Sequence, residues 1–136
     1  SPGHLVMSED GSTLYVANEG NGKVTEIDPK KMAVLRNFEM GGTLHGLDLS
    51  ENGGTLFAAV RETDQIGRID LDTGDVSFVN LAPGPYHLMV VDGTDKVYVS
   101  SAEESKIWVL DAGDLSLVGE IGFQGTGHQM VVVPGS

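Results

Sequence analysis

The chain has 136 residues, no cysteine, and 20 acidic against eight basic side chains, which gives a formal charge of −12 at pH 7. The lack of cysteine excludes disulfides, Fe–S clusters and thiolate metal sites within the sequence. The acidic excess and the scattered basic residues disfavour nucleic-acid binding, because recognition of a phosphate backbone needs a basic patch. No run of 18 apolar residues is present, so no transmembrane helix is predicted.

The first part of the chain reads as four short strands separated by turns. They are predicted at 3–8, 13–17, 23–28 and 33–38. Asp-Gly and Gly-Gly steps between such runs favour tight hairpins, because glycine adopts a positive φ without a Cβ clash. The runs are rich in Val, Ile, Leu and aromatic residues and show no helical stripe, so the predicted class is all-β.

The same order of strands recurs twice further along the chain. The second unit has strands at 45–49, 55–59, 65–70 and 76–79, and the third has strands at 87–91, 96–100, 106–111 and 115–118. The repeats therefore span about 3–44, 45–86 and 87–127. A last apolar run predicts the first strand of a next unit at 128–133.

Three residue classes share one period of 41 or 42 residues. They are the histidines His4, His45, His87 and His128, the aromatic residues Tyr15, Phe57 and Tyr98, and the aspartates Asp28, Asp70 and Asp111. Four-stranded antiparallel units of this length are the blades of a β-propeller, whose inner strands surround a channel. Because propellers close with roughly 4 to 8 blades, the chain is expected to be a fragment of a ring of roughly six to eight blades. Missing residues or self-association would close that ring.

The elements Pro2-Gly-His4, Asp10-Gly-Ser-Thr-Leu-Tyr-Val-Ala-Asn18 and Gly22-Lys-Val-Thr-Glu-Ile-Asp28 resemble the YVTN-type β-propeller repeat. This group of bacterial and archaeal repeat proteins includes cytochrome d1-like domains. The Tyr-Val-x-Asn element is kept at 15–18, whereas 57–60 and 98–101 lack its Asn. The resemblance implies a propeller fold and a periplasmic or extracellular location.

Each histidine precedes or opens the first strand of its unit, so the four imidazoles are expected at one level near one mouth of the channel. Neutral imidazole suits Cu, Zn, Fe and Ni, and clustering would lower the pKa of each ring by mutual repulsion. Three interpretations stay open: a metal site with Cu as the candidate ion, contacts with an organic cofactor such as a haem, and structural residues lining the channel. The candidate metal ligands are His4, His45, His87 and His128.

The connectors between units and the loops after the second strands should border the same mouth. They supply the candidate ligand-binding residues Arg61, Glu62, Tyr86 and Glu103. Arg61 suits an anionic ligand and Tyr86 a planar one, although Arg61 beside Glu62 and Asp64 is also typical of a solvated local ion pair.

Two functions follow from these candidates. One is a scaffold or binding module that presents the channel mouth and inter-blade loops to a small molecule or a protein. The alternative is part of a periplasmic redox enzyme that holds Cu or a haem d1-like cofactor at a histidine-lined hub. The sequence contains no Gly-x-Ser-x-Gly, His-Glu-x-x-His or P-loop motif, so catalytic residues are unassigned and catalysis stays an open question.

Overall fold

A computed structural model of the chain describes residues 2–125, 127 and 129–133. These residues form three four-stranded antiparallel sheets, each with its strands in chain order. Blade 1 consists of β1 (Pro2–Met7), β2 (Leu14–Asn18), β3 (Lys23–Asp28) and β4 (Ala33–Glu39). Blade 2 consists of β5 (Leu44–Leu49), β6 (Thr55–Val60), β7 (Gln65–Asp70) and β8 (Val76–Asn80). Blade 3 consists of β9 (Pro85–Val91), β10 (Lys96–Ser101), β11 (Lys106–Asp111) and β12 (Leu117–Gly122).

The predicted all-β class is confirmed, and the observed strands differ from the predicted ones chiefly near the end of the chain. β12 begins two residues later than expected because Leu115 has φ 59° and its N–H donates to the Asp111 carbonyl, which extends the preceding turn. Residues 129–133 form no strand, and His128 lies outside the described residues.

Two apolar layers join the three blades. Side chains alternate between the faces of a strand, so β6 of blade 2 gives Leu56 and Ala58 to one layer and Phe57 and Ala59 to the other. The layer between blades 1 and 2 also contains Tyr15, Ala17, Val24, Phe38 and Met40. The layer between blades 2 and 3 also contains Leu88, Val90, Val97, Val99 and Trp108. Blade 2 therefore has both faces buried.

The outer faces of blades 1 and 3 keep apolar side chains in solvent. On blade 1, Leu5 is 59% exposed and Met7 is 49% exposed, and on blade 3 Ile121 is 48% exposed. These faces correspond by repeat position to faces that are covered inside the chain. Closure of a ring would bury them in the same way.

The periodic aspartates shape one class of turn. The Asp28 carboxylate accepts hydrogen bonds from the N–H groups of residues 30 and 31, and the turns after Asp70 and Asp111 repeat the arrangement. Aspartate is favoured in such turns because its short side chain can bond the backbone two residues ahead. In the described part of the chain, the only helix is the short 3-10 turn Arg61–Thr63, and none is long and apolar enough to cross a membrane.

Candidate functional site

The histidines lie where each inner strand departs from regular pairing. The register of β1 shifts between Pro2 and His4, and that of β5 shifts between Leu44 and Leu47, on either side of His45. In blade 3 the shift lies opposite Tyr86 and His87. A β-bulge inserts an unpaired residue into a strand and changes the direction of the side chains there. The histidines therefore need not follow the strict alternation between the two faces of the strand that buries their neighbours.

These irregularities lie at the mouth, which we define as the end of the inner strands formed by connectors 40–43 and 81–84 with loops 19–22, 61–64 and 102–105. The connectors and loops are bonded to one another in each blade. The N–H of Met40 donates to the carbonyl of Gly22, and that of Leu81 donates to the carbonyl of Asp64. The connectors and the loops are thereby fixed at the same end of the blades, as the sequence predicts.

Three of the four predicted histidines join one aromatic group through Tyr86. The Tyr86 ring makes edge contacts with His45 and His87, each with ring centroids 4.6 Å apart. The ring centroids of His87 and His4 are 5.5 Å apart. Nδ1 of His45 also lies 3.5 Å from Oε1 of Glu19. The group therefore crosses all three inner strands, from β1 through β5 to β9.

Gly46 permits this convergence. A Cβ at position 46 would lie 2.7 Å from the backbone nitrogen of Leu88, 2.8 Å from the Cα of His87 and 3.0 Å from the carbonyl oxygen of Tyr86. All three are backbone atoms, so β5 approaches β9 more closely than any side chain at this position would allow. This close approach brings His45 against Tyr86.

A small cavity of about 90 Å³ lies beside this group, lined by His4, Asp48, His87 and Gln129 among others. Burial lowers the pKa of His4, against an opposing attraction from Asp48. Burial, and not the predicted repulsion among imidazoles, is thus the main cause of the shift. The neutral form of His4 is favoured at this position.

Asp48 is a site residue that the sequence prediction missed. Its carboxylate accepts hydrogen bonds from the N–H of Leu49 at 2.9 Å and from that of Val90, on the neighbouring blade, at 2.8 Å. The sequence carried a signal for it, because Asp48 lies three residues after His45, where the first and third units have the apolar residues Met7 and Val90.

Burial raises the pKa of Asp48, although its two backbone donors and His4 act in the opposite direction and Asp92 adds to the rise. A carboxyl group whose pKa is raised in the folded state contributes most to stability when the pH is below the ordinary pKa of such a group. That contribution falls as the pH rises through the raised value. Asp48 therefore links blades 2 and 3 at a cost in stability near neutral pH.

The structure brings two of the four candidate metal ligands together. His4 and His87 are neighbouring imidazoles, yet within 2–125, 127 and 129–133 no three side chains of His, Asp or Glu are arranged to hold an ion. The fourth predicted ligand, His128, is outside this range. The metal site stays a prediction.

Arg61 and Tyr86 meet directly at the mouth. The guanidinium carbon of Arg61 lies 5.3 Å from the centroid of the Tyr86 ring. The two acids expected as partners for Arg61 bind elsewhere: Glu62 Oε2 accepts from the N–H and Oγ1 of Thr43, and Asp64 Oδ1 accepts from the N–H of Gly84. Among the described residues no ion pair includes Arg61.

Glu103 lies in loop 102–105, against the connector between blades 2 and 3. Its side chain packs against Gly84, which has φ 59°, and its N–H donates to Oγ of Ser101. The Ser101 hydroxyl donates in turn to the Pro83 carbonyl at 2.7 Å. Glu62 and Glu103 therefore each brace a connector, while Arg61 and Tyr86 present their side chains to each other.

A larger cavity of about 710 Å³ lies at the opposite end of the inner strands, between turns 8–13 and 50–54. Its lining is acidic and includes Glu9, Asp10, Glu51 and Asp92. Hydrogen bonds from Ser12 and Ser8 lower the pKa of Asp10 to about 2. Glu51 accepts from the N–H of residue 93. Asp10 and Glu51 are therefore used to shape turns.

Comparison with known proteins identifies the class through structure alone, since no family model and no curated protein matches the chain. The hydrazine synthase of Kuenenia stuttgartiensis matches 93% of this chain and 37% of its own, with 22% identity and a TM-score of 0.86. The WD40 repeats of RRP9 match 93% of this chain and 40% of their own, with 15% identity and a TM-score of 0.82.

A third solved structure, the dihydro-heme d1 dehydrogenase NirN in complex with DHE, matches 85% of this chain and 25% of its own, with 26% identity and a TM-score of 0.70. The chain thus spans between a quarter and two fifths of the length of these structures. The chain has a β-propeller fold and contains three of its blades.

Proposed function

We propose that this chain is part of a propeller that works as a binding module, with the mouth as its binding surface for a small molecule or a protein. The observation that carries the proposal is the contact of Arg61 with Tyr86, beside the imidazoles of His45 and His87. Cationic, aromatic and hydrogen-bonding groups converge there on a fixed frame. A periplasmic or extracellular location belongs to this proposal and rests on the YVTN resemblance.

The mouth suits this role better than the larger cavity at the other end. Pockets that bind ligands usually combine aromatic side chains with a few polar groups that fix orientation. The mouth has this combination, whereas the lining of the larger cavity contains a single aromatic residue, Tyr15, among many acids. The phenol of Tyr15 faces the Glu26 carboxylate inside the blade interface.

Mapping with small neutral probes tests the proposed surface without assuming a ligand. We expect phenol, isopropanol and N-methylacetamide, added separately to the labelled protein, to shift the amide signals of residues 43–46, 61–64 and 84–87. These stretches surround Tyr86. Larger shifts at 8–13 and 50–54 would place the binding surface at the opposite end and contradict the proposal.

A second candidate is a metal or haem-type redox centre at the hub, favoured by the 5.5 Å separation of the His4 and His87 rings and by the structural match to NirN. His4 and His87 would hold the group, and His128 is the predicted further ligand. Such a group would supply electron transfer. His4, favoured as the neutral form, is in the state that binds metals.

Metal titration tests this candidate. With Cu(II) or Zn(II) added to the intact chain, we expect one ion per chain at saturation, and loss of that stoichiometric binding in His87→Ala. Val118→Ala, on the exposed side of β12, is the control and should bind as the parent does. Equal metal retention by His87→Ala, or no binding by the parent, would remove the metal centre from consideration.

A further inference from the structure

The guanidinium of Arg61 is positioned to bind an anion. The carboxylates next to it in sequence are held by Thr43 and Gly84, and the backbone and hydroxyl of Thr43 lower the pKa of Glu62, so that this acid stays ionised and bonded to the connector. Arg61 is solvent-exposed, and its described contact is with the face of an aromatic ring. Its fork of N–H donors therefore remains open for a carboxylate.

The surroundings of Arg61 select a planar group. Tyr86 is half-buried and held by edge contacts with His45 and His87, so its ring has a fixed orientation at the mouth. Rings that meet such an assembly gain from edge-to-face and offset-stacked contacts. An aromatic ring that lies against Tyr86 would place a directly attached substituent within reach of Arg61, because the guanidinium is 5.3 Å from the same ring.

The charge around the mouth restricts the anion to a single negative charge. Glu19, Glu62, Asp64 and Glu103 all lie in the mouth loops, and the chain as a whole carries −12. One arginine among these acids can compensate a monoanion, whereas a phosphate dianion would meet stronger repulsion.

We infer that the mouth binds an aromatic carboxylate, with the carboxylate on Arg61 and the ring against Tyr86, His45 and His87. This inference rests on the proposed function and adds the chemical class of the ligand. Arg61 supplies paired charge-assisted hydrogen bonds, and the three rings supply the apolar contact.

Benzoate is the probe for the inference, and three related compounds isolate its parts. Benzamide keeps the ring without the charge, acetate keeps the carboxylate without the ring, and phenyl phosphate carries the dianion. We expect benzoate to bind at least about tenfold more tightly than each of them, because benzamide lacks the charge-assisted hydrogen bonds, acetate lacks the ring contact and phenyl phosphate meets stronger repulsion from the acids. Binding is measured by amide chemical-shift titration.

Variants assign the contacts. Arg61→Gln should weaken the binding of benzoate by about tenfold or more, and Arg61→Lys should weaken this binding less. Tyr86→Leu should also weaken the binding of benzoate. Arg68→Gln is the matched control, because it removes the same charge from the opposite end of blade 2, where Arg68 lines a separate cavity. Its affinity for benzoate should match that of the parent.

The outcomes separate the inference from the proposed function. The ligand is not a carboxylate if benzamide binds as tightly as benzoate, or if Arg61→Gln has the same affinity for benzoate as the parent. This holds even if the chemical-shift changes of the amides are still located at residues 84–87. If phenyl phosphate binds more tightly than benzoate, the restriction to a monoanion is wrong. If the neutral probes map to the mouth but benzoate does not bind, the proposed function stands and this inference falls.

Discussion

Replacing Gly46 by alanine is expected to lower the free energy of unfolding by about 1–3 kcal/mol, the usual cost of overpacking, and to separate His45 from Tyr86. The added Cβ would lie 2.7 Å from the Leu88 nitrogen and 2.8 Å from the His87 Cα. A change of rotamer cannot relieve a contact with backbone, so β5 and β9 must move apart. Urea denaturation followed by the fluorescence of the buried Trp108 measures the stability.

The separation of the rings is a second and independent readout. Nuclear Overhauser contacts between His45 and Tyr86 should weaken in Gly46→Ala, together with benzoate binding. Gly119→Ala in β12 is the matched control, because a Cβ there meets no atom within 4 Å. Its stability should stay within about 0.5 kcal/mol of the parent. Equal stabilities for the two variants would show that β5 and β9 are not in close contact at Gly46.

Replacing Arg36 by methionine is expected to cost about 3 kcal/mol, the lower end of the range for breaking a buried ion pair. The Glu26 carboxylate is almost fully buried and receives two hydrogen bonds from Arg36, of 3.0 Å and 2.8 Å. Without Arg36 this buried carboxylate would lose its partner charge and both hydrogen bonds. The arginine side chain is 39% exposed, so water can reach the ion pair. The loss in free energy of unfolding is therefore expected at the lower end of that range.

This ion pair also joins two blades. Arg36 donates to the carbonyl of Leu71 in blade 2 at 3.1 Å, and burial with the adjacent Glu26 raises the pKa of Tyr15 to about 12. Its loss should therefore loosen the interface between blades 1 and 2, in addition to leaving a buried charge.

Two comparisons test this explanation by urea denaturation. Lys23→Met breaks the exposed pair with Glu39 and should cost less than about 1 kcal/mol. The double variant Glu26→Met/Arg36→Met removes both charges and should be more stable than Arg36→Met alone. A double variant that is less stable than the single one would mean that the buried charge is not the source of the loss.

The sequence repeat by itself determined most of the fold. The shared period of the histidines, aromatic residues and aspartates defined three units, and alternation with turn residues located eleven of the twelve strands within about two residues. Local interactions explain this success, because a tight turn or an Asx turn such as that at Asp70 forms among residues close in the chain. β12 was less well placed because Leu115 adopts a positive φ that the sequence does not signal.

The sequence also determined which residues share the mouth, since residues at the same repeat position come to the same level of a propeller. Tertiary structure decided what those residues contact. The close approach at Gly46 and the contact of Arg61 with Tyr86 instead of its neighbouring acids both depend on residues of different blades. The role of Asp48 depends on the N–H of Val90, 42 residues away. Periodicity encodes what each blade repeats, whereas the chemistry of this mouth arises where the blades differ and meet.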